Sequence, residues 1–324
     1  MSNVLEEAWS SAASRQKTTA ASAGGQYVFR TDEDSRFGTF AGVDPDGHLL
    51  FAVETVQTPP SLDLRSDAID YFRQQRTELG SWMLFLRLKR RELRDVFARL
   101  CQDLIDSLAV ASSDQEVISS IHSRIRLWQQ LFELNPSGVL ATHEIKGLTA
   151  ELLYMLRHLE RGSRAAGEMV NAWLGPSRCD QDFIFSTDSV EVKAIGPSSE
   201  LVSISSLQQL QSDRPLSLSI WTLRQAAPTE SSAFTLNGLV LKIEGYLQSD
   251  PSSLAAFRDR LLSAGFVHSS AYDKIAFEPL NEETYSVSGD FPRLTERDVA
   301  PGIGNATYTL SLHWIRQLQR SAHE

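Results

Sequence analysis

The amino-acid sequence predicts a mixed α/β fold, and three observations carry that expectation. Hairpin-like alternation with a polar turn occurs at "FAGVDPDGHLLFAVETV" (40–56) and again at "DFIFSTDSVEVKAIG" (182–196). Apolar residues at three- and four-residue spacing (Val117, Ile118, Ile121, Ile125, Trp128, Leu131) mark a helix with one buried face. From Leu148 to Leu223 the coarse order is helix, helix, strand, strand, helix, strand.

Taken in order, residues 1–24 are polar and Ala/Ser-rich and predict a helical turn or two followed by a loose arm. From Gln26 to Val56 the pattern is strand-like, with Asp44-Pro45-Asp46-Gly47 as a turn between apolar runs, and Thr58-Pro59-Pro60 closing the segment. Residues 64–135 read as helices, stopped by Asn135-Pro136-Ser137-Gly138. A helix over about 148–161 ends at Gly162, and a second over about 164–174 is stopped by Gly175-Pro176. The 182–196 hairpin follows, then a Ser/Pro loop at 196–200, a short helix from about Ser205 and a strand at "LSLSIWTL". Beyond it lie two helices, Leu236–Leu247 and Ser252–Ala264, and short strands with turns near Asn281 and Gly289. Four regions result: an N-terminal β-hairpin region (1–60), a helical region (61–136), a core carrying the hairpin (137–235) and a C-terminal α+β region (236–324).

Composition narrows the function. No apolar run approaches the roughly 18–20 residues that cross a bilayer, the longest being cut by Arg87 and Lys89, and "MSNVLEEAWSSAASRQ" lacks the apolar centre of a secretory signal. The two cysteines, Cys101 and Cys179, lie far apart and match a reducing cytosol. A net charge of −10 argues against non-specific coating of nucleic acid. It leaves room for a local phosphate site, because a divalent cation and a few arginines invert the local field. The basic run Arg87, Lys89, Arg90, Arg91 and Arg94 is interleaved with Glu92 and Asp95 and reads as a solvated helical face.

The second hairpin places charge inside an apolar stretch. With Ser186–Ser189 as a four-residue turn, Phe185 opposes Val190, Ile184 opposes Glu191 and Asp182 opposes Lys193. Strand side chains alternate faces, so Asp182, Glu191 and Lys193 share one face and Asp182 lies diagonal to Glu191. Two carboxylates that reach one hard cation, with an ammonium beside them, suit Mg²⁺-assisted phosphodiester hydrolysis. The plainer reading of the same pattern is a surface hairpin with an Asp182–Lys193 cross-strand ion pair. Three neighbours weigh against it. Glu151 borders the apolar stripe of its helix with no basic partner three or four residues away. Gln208 or Gln209, on the following short helix, can reach Lys193 or a phosphate. Lysine is scarce, 6 against 25 arginines, which gives one at this position added meaning.

"DFIF" and "VEVK" after "GLTAELL" resemble the PD-(D/E)xK nuclease superfamily. The ordered segments "GLTAELLYMLRHL", "AWLGP", "QDFIF", "EVKAIG", "ISSLQQL", "YSVSGDFPRL" and "PGIGNATYTLSL" resemble more narrowly a bacterial family of that superfamily found beside phage-defence genes. The resemblance implies a restriction-endonuclease-like core over 137–235. It implies Asp182, Glu191 and Glu151 as ligands of Mg²⁺ (or Mn²⁺), Lys193 as the water-orienting residue and Gln209 as its polar support. Gln181 stands where the superfamily motif has proline. The implied function is a metal-dependent DNA endonuclease of a restriction or phage-defence system. Its implied partners are DNA and other defence proteins, with an oligomer compatible, no membrane, and a cytoplasmic setting. The alternative is a catalytically inactive nuclease-fold adaptor that binds DNA or a partner protein.

Overall fold

In the computed structural model, which describes residues 3–18, 27–31, 37–59, 61, 67–109, 111–134, 138–177 and 179–321, the chain divides into two compact units, Met1–Gly138 and Val139–Glu324. The expected arm before residue 25, Pro60 and the breaker residues 135–137 lie outside the described residues.

The first unit is built on an antiparallel five-stranded sheet. Helix α1 (Asn3–Thr18) is followed by β1 (Tyr27–Arg30), β2 (Thr39–Val43), β3 (Leu49–Thr55), β4 (Ile69–Arg76) and β5 (Ser81–Leu88), then α2 (Arg94–Ala109) and α3 (Asp114–Leu134). The sheet order is β1-β2-β3-β5-β4. The DPDG turn joins β2 to β3 as expected, with Val43 opposite Leu49 and Gly47 in the left-handed conformation at φ 81°. Two expectations are corrected. Helix α1 is a full four turns rather than one or two, because Trp9 anchors it: the ring is buried and its Nε1–H donates to the Leu50 carbonyl at 2.8 Å. Residues 69–88 are strands, not helix. "SWMLFLRL" is apolar on both faces, a pattern that periodicity alone cannot assign, and its pairing with both β3 and β4 decides it. Arg87 is therefore a strand residue bonded to Asp70, not part of a helical basic face. The stripe Val117, Ile121, Ile125, Trp128 and Leu131 is buried as expected.

The second unit carries α4 (Thr142–Arg161), α5 (Ala166–Ala172), β6 (Phe183–Ile184), β7 (Ser189–Ile195), β8 (Leu201–Ile204), β9 (Leu216–Ala226), β10 (Phe234–Thr235), α6 (Leu236–Leu247), α7 (Pro251–Ser263), β11 (Ala276–Ser286), β12 (Tyr308–Ser311) and α8 (Leu312–Ser321). Its main sheet has the order β10-β11-β9-β7-β6, and β7 runs parallel to β9. One face of that sheet, with Val190, Val192, Trp221 and Leu223, packs into a core with Leu148, Leu152 and Met155 of α4. The other face, with Ile195, Leu218 and Ile220, is covered by Val202 and Ile204 of β8, Leu310 of β12 and Ile315 of α8.

Helix α4 starts six residues before Leu148 because Glu144 Oε2 accepts the Ala141 N–H at 2.8 Å, satisfying a free donor at its first turn. It ends where Gly162 takes φ 59°. Helix α5 is shorter than expected, since Trp173 leaves it to bridge Phe183. The expected helix from Ser205 is a single 3-10 turn, Gln208–Leu210, and strand β8 before it pairs with β12. Asn281 is not in a turn: it lies within β11 beside a register shift after Pro279, where a residue without an N–H interrupts the ladder. Among the described residues no helix is long and apolar enough to cross a membrane.

Candidate active site

The hairpin β6–β7 forms with a register two residues away from the expected one: Phe183 opposes Val190 and Ile184 opposes Ser189. A shift of two keeps every side chain on its face. Continued one pair, this register sets Asp182 directly opposite Glu191 rather than diagonal to it.

The ladder stops at Phe183, and a side chain takes over. Asp182 Oδ2 accepts the Val192 N–H at 2.8 Å, so the carboxylate serves as the acceptor that β6 no longer supplies. Its own carbonyl accepts from Leu174 N at 2.8 Å and Gly175 N at 3.0 Å. Asp182 is thus held from both sides, by β7 and by the turn that ends "AWLGP".

Glu151, on α4, reaches the same place. Its Oε2 accepts the Trp173 indole N–H at 2.7 Å. Gly175 sits between the two acids: a Cβ there would lie 2.7 Å from Asp182 Oδ1 and 3.1 Å from Glu151 Oε2. Glu191 is buried, at 1% exposure, while Glu151 and Asp182 keep a partly exposed edge.

Lys193 closes the group. Its Nζ lies 2.6 Å from Glu191 Oε1, a close ion pair out of line for a hydrogen bond, so that buried oxygen has no aligned donor. Lys193 Nζ donates to Gln209 Oε1 at 3.0 Å, and the same oxygen accepts the Ser205 N–H at 2.8 Å. Gln209 comes from the 3-10 turn. All five candidate residues, Glu151, Asp182, Glu191, Lys193 and Gln209, are therefore linked in one chain of contacts and charges.

The electrostatics follow from crowding three acids around one ammonium. Burial, then the Asp182 charge, push the Glu151 carboxyl up from its usual 4.5 to about 8, against the Trp173 bond and Lys193. Asp182 is also raised, by burial, with Lys193 and the Val192 N–H opposing. Glu191 is raised well above the usual range by burial and by Asp182. Three acids that share one ammonium, a buried Glu191 oxygen with no aligned donor, and a glycine where a Cβ would crowd two of the acids make an all-oxygen donor set of the kind a hard divalent cation takes. By donor chemistry the residues suit such an ion; among the described residues only Asp44, Asp46 and His48 bring three donor atoms within 4.8 Å of one another.

Three supporting residues were not read as functional from the sequence: Trp173, Gly175 and Gln181. The signal for the first two was present in "AWLGP", a Trp followed by a helix-stopping Gly-Pro. Gln181 fills the proline position of the motif with a purpose. Its buried amide donates to the carbonyls of Gln208 at 2.7 Å and Gln211 at 3.0 Å, tying the hairpin to the turn that presents Gln209. Arg157 and Arg164, on and just after the helix that carries Glu151, have structural partners: Arg157 pairs with Glu282 and covers the Trp221 ring, and Arg164 pairs with Glu168 and Asp188.

A second acidic group, Asp44, Asp46 and His48, belongs to the first unit, with donor atoms within 4.8 Å of one another. Its geometry is that of the DPDG turn. Asp44 Oδ1 accepts the N–H groups of Asp46 at 2.9 Å and His48 at 2.8 Å, and Oδ2 faces His48 Nδ1 at 3.0 Å.

A family model described as "Putative PD-(D/E)XK family member, (DUF4420)" matches residues 5–313. No curated protein and no solved structure matches the chain. The family description points to a nuclease fold, and the α/β sheet with its acid- and lysine-bearing hairpin agrees with it. With the match running through nearly the whole sequence, the chain belongs to the DUF4420 family of PD-(D/E)XK proteins.

Proposed function

We propose that the protein is a metal-dependent DNA endonuclease, with Asp182, Glu191 and Glu151 as ligands of Mg²⁺ or Mn²⁺. Lys193 is the water-orienting residue and Gln209 its positioning residue. The observation that supports this reading best is the contact of Lys193 Nζ with both Glu191 Oε1 (2.6 Å) and Gln209 Oε1 (3.0 Å), on the sheet face that Asp182 shares. When bound, the cation supplies Lewis-acid polarisation of the phosphate and offsets the acids' charge. The chain's own residues do the rest. Glu191 and Gln209 fix the ammonium, and Lys193 donates to the attacking water and to the charge that develops on phosphate oxygen. The water oxygen bonds to phosphorus as a sugar-oxygen–phosphorus bond breaks. One water proton ends on the leaving sugar oxygen and the other is released.

A place in restriction or phage defence, alongside partner proteins, belongs to the same proposal and rests on the likeness of the ordered sequence segments. The test is cleavage by the purified protein of DNA, with RNA as a parallel substrate, in Mg²⁺ or Mn²⁺. DNA is cut by wild type and not by Lys193→Ala; cleavage that survives Lys193→Ala removes this site from the reaction.

A further inference from the structure

The second unit holds another lysine in an unusual setting. Lys146, on the first turns of α4, is half-buried and has no hydrogen-bond or ion-pair partner among the described residues. Burial is the one influence on its ammonium, and it pushes the pKa down. Of the other lysines in this unit, Lys193 and Lys242 pair with Glu191 and Glu160, and Lys274 is exposed.

Lys146 lines a cleft of about 680 Å³ with His143, Gly196, Pro197 and Gln225. Gly196 follows the last residue of β7 and Gln225 lies at the end of β9. Because these two strands are parallel, the cleft opens at their carboxyl ends, where open α/β sheets bind ligands. The ammonium is held over the strand end: a Cβ at Gly196 would lie 3.9 Å from Lys146 Nζ. A fully solvated lysine needs no counter-charge. One kept half out of water, at the wall of a cleft and with no acid near it, is stabilised by an anion that enters. Lysine suits phosphate as a compact point charge with three donors.

The geometry points to a phosphate-binding subsite in which Lys146 grips the backbone of the substrate strand outside the cleavage centre; this rests on the nuclease reading above. Gly196 lies three residues beyond Lys193 along β7, on the order of 10 Å at about 3.3 Å per residue.

The test measures binding of a labelled DNA duplex in Mg²⁺ by fluorescence anisotropy, over a range of salt, on a Lys193→Ala background that does not cut. Adding Lys146→Gln should weaken binding about tenfold at low salt and reduce the slope of log affinity against log salt by about 1, while Lys146→Arg restores both. Thermal melts of the same proteins separate lost binding from lost folding. Equal affinity and equal slope for Lys146→Gln and its background overturn the subsite and leave the nuclease reading standing. DNA neither bound by the background nor cut by wild type overturns both.

Discussion

The Trp173 indole N–H donates to Glu151 Oε2 at 2.7 Å, joining the segment before the hairpin to α4. Groups that hydrogen-bond to the ligands of a metal orient them and commonly change affinity 10–100-fold when removed, and on the proposed function Trp173 is such a group. Trp173→Phe keeps most of the buried ring and deletes the donor. Titration calorimetry should then show Mn²⁺ affinity lowered about tenfold, with a folding cost of about 1–2 kcal/mol. Wild-type affinity in this variant would leave the indole a packing role alone.

Gly175 is required by close approach rather than by a left-handed backbone. A methyl group there meets Asp182 Oδ1 at 2.7 Å, Glu151 Oε2 at 3.1 Å and the Asp182 Cα at 3.3 Å. Backbone and both acids would have to separate. Gly175→Ala should reduce cleavage by about 100-fold or more, since displacement of reacting groups by about 1 Å costs that much. Cleavage at the wild-type rate would contradict the close packing of the two acids.

Gln209 holds Lys193 through the oxygen that also accepts the Ser205 N–H at 2.8 Å. Gln209→Leu retains the volume and loses the acceptor. We expect cleavage to fall about tenfold while the metal still binds, because the acids are untouched. A variant in which metal binding is lost and cleavage falls together would instead make Gln209 part of the ligand set.

The three acids also set a pH dependence of folding. Glu151 ionises near 8 in the folded chain against 4.5 normally, and Asp182 and Glu191 move the same way. The folded protein therefore holds protons that the unfolded chain has released. The stability this contributes is complete below the unfolded value of 4.5 and is lost as pH rises through about 8. In the metal-free protein, the melting temperature of wild type should fall relative to Glu151→Gln across that interval. Saturating Mg²⁺ should remove the difference in slope, since the cation replaces the protons. A wild type that gains stability relative to Glu151→Gln as pH rises would show the acid to be compensated in some other way.

Much of this site was legible in the sequence because it depends on parity. Asp182, Glu191 and Lys193 share a face under any register whose shift is even, so a pairing wrong by two residues still brought them together. The DPDG turn was equally plain, its Asp44 and Gly47 carrying their own local chemistry. What sequence could not supply came from contacts distant along the chain. "SWMLFLRL" is buried on both faces and offers no period, so its strand character emerges from pairing with residues 50–55 and 69–76. The strand "LVSI" at 201–204 exists because it pairs with 308–311, about a hundred residues on. Gln181 acts through partners 27 and 30 residues away, and no local rule points to it; "AWLGP" marks Trp173 but not its partner 22 residues back.

The central claim is that Glu151, Asp182 and Glu191 act together as the seat of a divalent cation beside Lys193. Calorimetric titration of Mn²⁺ into wild type, Asp182→Asn and Glu191→Gln examines it without reference to substrate. The account predicts saturable binding by wild type and its loss in both variants, with each variant still folded by thermal melt. Binding of equal affinity in all three proteins would contradict it.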